Sequence, residues 1–249
     1  MILHIPHSSR EIPERLRGQF VLDDEELSAE LDLMTDAFTD ELFAPCEATV
    51  VRFPVSRLAV DVERFADDTQ EPMSKVGMGM IYTRTAAGVP LRRALSTDEV
   101  GDLKRLYETH HQALLCAVEY ELTATGAALI VDCHSFPSRP LLCDQDQALP
   151  RPDFCIGTDP FHTPEAPTRS VASALERLGY RVELDHPYAG TLVPAAFWKR
   201  DARVKSIMIE VNRSLYMDED TGEKTSGFEV VGEHLRGVLS ALKSVRPAC

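Results

Sequence analysis

AALIVDCHSF, residues 127–136, decides the fold. Ala127 to Val131 form an unbroken apolar run just after Gly126, which reads as a buried strand over 127–133. The run then meets Asp132, Cys133, His134 and Ser135, an acid, a thiol, an imidazole and a hydroxyl. In open α/β sheets, ligands gather at the carboxyl ends of strands, so polar groups at that point mark a candidate site.

Outward from this strand, strand-like and helix-like runs alternate, the pattern of a sheet covered by helices. ILHIP (2–6), ATVVRF (48–53), RLAVDVERF (57–65), FCIGT (154–158), YRVEL (180–184) and VKSIMIEVN (204–212) read as strands. Residues 26–43 carry Leu27, Leu31, Met34, Phe38 and Leu42 at helical spacing and read as one amphipathic helix. Ser96 and Glu99 make a capping box before a helix over 97–124, ended by Gly126. Further helices are expected near 168–178 and 226–246, with long loops at 69–93 and 137–153. No linker divides the chain, so the expectation is one α/β domain over 1–249, its mixed, mostly parallel sheet carrying helices on both faces.

The totals exclude several classes. A net charge of −14 argues against a nucleic-acid partner, which needs clustered Lys and Arg. No apolar run approaches the roughly 18 residues of a membrane span, and no signal segment follows Met1, which fits a cytoplasmic enzyme. The six cysteines include no C-x-x-C pair, and Cys116, Cys133 and Cys155 read as small core residues. G-x-S-x-G, P-loop and G-x-G-x-x-G motifs are absent.

Polar groups recur at strand ends: His7, Glu63 with Arg64, His134, and Glu210 with Asn212 and Arg213. Two histidines at separate strand ends point to a metal, and zinc takes imidazole and carboxylate with one position left for water. The third ligand is open among Glu11, Asp36 and Glu63. In a continuous helix Asp36 would lie about 180° from the apolar stripe, facing solvent. Glu210, after three apolar residues on a central strand, must be paired, protonated or catalytic. Arg57, Arg64, Arg139 and Arg213 could together fork carboxylates. His110 and His111, adjacent on a helix, read as surface residues.

The ordered set IPHSS, MTD, SRLAVDVERF, DCHS with SRP, PYAGT and IEVNRSLYM resembles the N-formylglutamate amidohydrolase family over residues 4 to 217. That family is similar to the zinc carboxypeptidase-like hydrolases, and the resemblance implies their fold. It implies Zn2+ held by His7, Asp36 and His134, with Glu210 as general base. It also implies substrate binding by Arg57, Arg64, Arg139, Tyr188, Gly190 and Asn212. The implied partner is a small anionic N-acyl amino acid, N-formyl-L-glutamate above all. Another N-acyl amino acid or small peptide, or mere anion binding on the same fold, are the alternatives. One departure stands out: the family's Asp-x-Asn-Arg is Asp61-Val62-Glu63-Arg64 here. An acid replaces an amide beside a carboxylate-binding arginine, so the expected substrates are not confined to N-formylglutamate.

Overall fold

The structure, a computed structural model, describes residues 1–43 and 48–244. Six strands, β1 (Ile2–Ile5), β2 (Thr49–Arg52), β3 (Ala128–Phe136), β4 (Phe154–Gly157), β5 (Val182–Leu184) and β6 (Val204–Asn212), form one sheet. Its order is β2-β1-β3-β6-β4-β5. The first four positions run parallel, and β4 reverses against β6 with β5 parallel to β4. The mixed, mostly parallel α/β fold expected from the sequence is the one observed. Among the described residues no helix is long and apolar enough to cross a membrane.

The strands sort their side chains by period two. On one face Leu3, Val131, Cys133, Ile207, Ile209 and Val211 pack under α5 (Glu165–Arg177) and α6 (Gly227–Ser244). On the other, Ile2, Ala128, Ile130 and Val204 meet Leu114 and Val118 of α4 (Thr97–Thr125). Each fully buried aliphatic side chain of this kind contributes about 1.5–3 kcal/mol. Towards the carboxyl ends of β1, β3 and β6 that second face turns polar, presenting His4, Asp132, His134 and Glu210, all buried. The expected strand at 127–133 therefore runs on to Phe136, and His134 stands within β3 rather than beyond it.

Two expectations fail for a common reason. Residues 26–43 are not one helix: α2 (Asp24–Met34) stops where Thr35 turns extended, at φ −83° and ψ 135°. Phe38 takes φ +63° before the short α3 (Thr39–Leu42). The Asp36 N–H donates to the His7 carbonyl at 3.0 Å instead of continuing the helix. Nor do residues 57–65 form a strand; they turn, with Ala59 N–H on Ser56 O and Asp61 N–H on Met80 O. Their apolar alternation reflects burial in two separate clusters, Leu58 in one and Val60 with Val62 in another. In both places a tertiary hydrogen bond outcompetes the local repeat.

Cys133 and Cys155 are buried as expected, but Cys116 is exposed on α4. Cys46 and Cys249, and the expected helix beyond Ser244, lie outside the described residues. The capping box of Ser96 and Glu99 is present, and α4 ends on Gly126 at φ +83°. A Cβ at Gly126 would meet nothing within 4 Å, so the cost of Gly126→Ala is that of the left-handed backbone alone. Urea unfolding should show Gly126→Ala less stable by about 1 kcal/mol, and Gly126→Asn by less.

Candidate active site

The pairing register builds the site. In the parallel β3–β6 pair His134 stands opposite Glu210, and in β1–β3 His4 stands opposite Asp132. Paired residues point to the same face, so these groups share one end of the sheet. His7 follows β1, Asp36 arrives from the break between α2 and α3, and the 57–65 turn delivers Arg57, Asp61, Glu63 and Arg64. A cavity of about 190 Å³ opens among His7, Asp36, Glu63, Arg64, His134 and Glu210.

The two imidazoles are held alike. Their Nδ1 atoms face Asp36 Oδ2, at 2.9 Å from His134 and 3.7 Å from His7. Their Nε2 atoms face other carboxylates: His7 donates to Asp61 Oδ1 at 2.8 Å, and His134 lies 3.0 Å from Glu63 Oε2 and 3.3 Å from Asp132 Oδ1. Asp61 is itself fixed, accepting from Arg57 Nε and Nη2, Tyr82 Oη and the Glu63 N–H. Asp36 Oδ1 accepts from Arg213 Nη2 at 3.2 Å. Imidazole oriented by a carboxylate on one nitrogen, with the other nitrogen turned to a shared anion, is the arrangement of metal-ligating histidine.

The charges agree with that reading. Burial would raise the Asp36 carboxyl, but hydrogen bonds from His134 and His7 hold it far below the usual range. Burial would lower His134, yet Glu63 and Asp132 push it well above an ordinary histidine. Three carboxylates thus surround the two nitrogens of His134, more acceptors than a neutral ring has N–H groups. His7 Nδ1, Glu63 Oε1 and Glu210 Oε2 are buried with no hydrogen-bond partner. Such a site has the donors and the excess negative charge to take a divalent cation. The ligand atoms of His7, Glu63 and His134 also lie within 4.8 Å of one another, so Glu63 competes with Asp36 as the third donor.

Glu210 is pushed up to about 8, by burial first and by Asp36 and Glu63 besides, against the pull of His134. That places it where a carboxyl group can both take and return a proton near neutral pH. Its antiparallel neighbour Cys155 is pushed up to about 12 by burial and Glu210, which removes its thiol as a nucleophile.

The N-formylglutamate amidohydrolase family profile matches residues 1–217. The chain belongs to the N-formylglutamate amidohydrolase family. The crystal structure of the N-formylglutamate amidohydrolase from Ralstonia eutropha JMP134 is similar at a TM-score of 0.85 and 26% identity, covering 98% of this chain and 93% of that one. A gene product of Agrobacterium tumefaciens shares the fold at a TM-score of 0.66 and 16% identity, over 98% and 91% of the two chains. None of the curated protein sequences compared matches.

As an N-formylglutamate amidohydrolase family member, the chain gathers His7, Asp36, Arg57, Arg64, His134, Tyr188 and Glu210 around one cavity. Gly190 lines a neighbouring, larger cavity instead. Arg139 is exposed on the loop after β3 and lines neither. Asn212 spends its amide elsewhere, donating to Pro152 O and accepting from the Ser214 N–H and hydroxyl. Glu11 is exposed, away from the metal-competent groups.

Sequence reading passed over Asp61 as an anchor for His7, and misplaced the paired histidines of α4. His110 is buried, its Nε2 2.8 Å from His4 Nε2, while His111 donates to Val62 O. The two rings diverge, yet both face protein because β1 and the 57–65 turn flank the helix. A signal existed in the short alternation of Val60, Asp61 and Val62, a polar residue enclosed by apolar ones. Burial foremost, with repulsion from His4 and His111, holds His110 down at about 2, against 6.5 for an ordinary histidine. Between those values the unfolded chain binds more protons than the folded one, so stability present above pH 6.5 is lost as pH falls. The urea midpoint should be lower at pH 5 than at pH 7, and His110→Gln, which can still bond His4, should show a smaller difference.

Proposed function

We propose that this chain is a zinc-dependent amidohydrolase of N-acyl amino acids, with N-formyl-L-glutamate giving formate and glutamate. The observation that supports this best is the convergence of both Nδ1 atoms on Asp36, with Glu210 on the strand beside His134. His7, Asp36 and His134 would hold the ion. Zinc in that position polarises an acyl oxygen and acidifies water.

The chain's own groups supply the rest. Glu210 takes a proton from the attacking water as the new C–O bond forms, then returns it to the departing amine nitrogen as the C–N bond breaks. Its raised affinity for protons, near 8, suits the return step. Arg64, whose guanidinium makes no hydrogen bond and whose side chain is one-quarter exposed, is placed to bind a substrate carboxylate. Arg57 and Arg213 are already engaged by Asp61, and by Leu33 O and Asp36.

Formate release from N-formyl-L-glutamate, with metal content determined on the same sample, tests the reading. Both should be present and both lost on adding chelator; metal with activity only on other N-acyl amino acids would move the substrate and keep the class. Glu210→Gln should retain metal and lose about 10²–10⁴ in kcat. Arg64→Met should raise KM about 10- to 100-fold with a lesser effect on kcat. Asp36→Asn should lose the ion while Glu63→Gln keeps it; the reverse outcome would assign the third donor to Glu63.

A further inference from the structure

A second cavity of about 900 Å³ adjoins the first, and Arg57, Glu63, Arg64, Ala189 and Met208 line both. Pockets that enclose small organic ligands run to roughly 300–1,000 Å³. The first cavity, at about 190 Å³, falls below that range and the second lies near its top. A substrate whose scissile amide meets Glu210 must therefore extend past the shared wall. The half that extends is the one whose carboxylate Arg64 binds, because Arg64 stands in that wall.

What the larger cavity accepts follows from its charges. Of the arginines lining either cavity in the described residues, Arg64 alone makes no hydrogen bond; Arg57 donates to Asp61 and Arg213 to Leu33 O and Asp36. One uncommitted guanidinium matches one carboxylate. A second carboxylate on the substrate would find Glu63 in the wall, with Oε1 unpaired, and Asp132 and Glu108 beyond it. The remaining surface is apolar: Leu115, Leu192, Val193 and Pro194, with Phe65 and Trp198 among the exposed large hydrophobic residues of the chain. An apolar side chain gains about 25 cal/mol for each Å² it removes from water there, whereas a carboxylate pays desolvation and like-charge repulsion.

We infer that the preferred substrate carries a single carboxylate and an apolar or aromatic amino-acid side chain, which the larger cavity receives, and that Glu63 excludes a second carboxylate. The inference rests on the hydrolase reading and narrows its substrate. Glu63 acts here through charge at the wall, in the place where the family sequence has an amide.

The test compares kcat/KM for N-formyl-L-phenylalanine, N-formyl-L-leucine and N-formyl-L-glutamate on the zinc-loaded protein, with metal content measured for every variant. The expected result is a preference of at least about tenfold for the uncharged side chains, one charge contact being worth on the order of 1.4 kcal/mol. Glu63→Asn should shift the ratio towards N-formyl-L-glutamate by a similar factor. Trp198→Ala, an exposed position with little bearing on folding, should lower the phenylalanine-to-glutamate ratio. Turnover of N-formyl-L-glutamate in preference to both others, with the ratio unmoved in Glu63→Asn, overturns the inference and leaves the hydrolase reading standing. No formate from any of the three overturns both.

Discussion

The parallel pairing of β3 with β6 is the constraint on which the site depends. Its register sets His134 beside Glu210, and a slip of one residue would turn both to the opposite, wholly apolar face. Val131, Cys133, Ile207, Ile209 and Val211 penalise that slip, since each would exchange a packed interior for a polar cavity. The hydrophobic core thus holds the catalytic geometry. β1 repeats the arrangement one strand away, where Leu3 and Ile5 fix the face on which His4 meets Asp132.

Two departures from regular structure complete the site. The stop after Met34 and the turn through 57–65 each bring a carboxylate to a histidine, Asp36 to His134 and Asp61 to His7. Neither segment obeys its own repeat, because the buried carboxylate and the backbone bond from Asp36 N–H to His7 O are worth more than another turn of helix or strand. The left-handed Phe38 pays for the first break locally and packs its ring edge-on to Phe228 of α6.

This division explains what was legible in the sequence. The strands β1, β3 and β6, the capping box of α4, and the recurrence of His7, His134 and Glu210 at one edge of the sheet follow from periodicity and from apolar runs ending in polar groups. The placement of Asp36 did not, since a 100° repeat applied through Thr35 turns it to solvent. The 57–65 segment misled for a similar reason: Leu58, Val60 and Val62 alternate like a strand yet are buried in two different cores. His110 was missed because its partner His4 is 106 residues away in the chain. Local pattern reports which residues are buried; it does not report against what.

The arginines show how a net charge of −14 coexists with an anion-binding cleft. Arg57 and Arg213 spend their donors on Asp61 and Asp36, the two carboxylates that orient the histidines. Buried ion pairs of this kind add little stability over apolar packing, because desolvating both partners offsets their attraction. Their effect is positional: each guanidinium fixes one carboxylate oxygen and leaves the other for an imidazole. The cleft's positive character toward a ligand is then carried by Arg64, the member of the group whose guanidinium is not already bound. Counting arginines at strand ends overstates the charge available to substrate, and only their hydrogen-bond partners show how much of it remains.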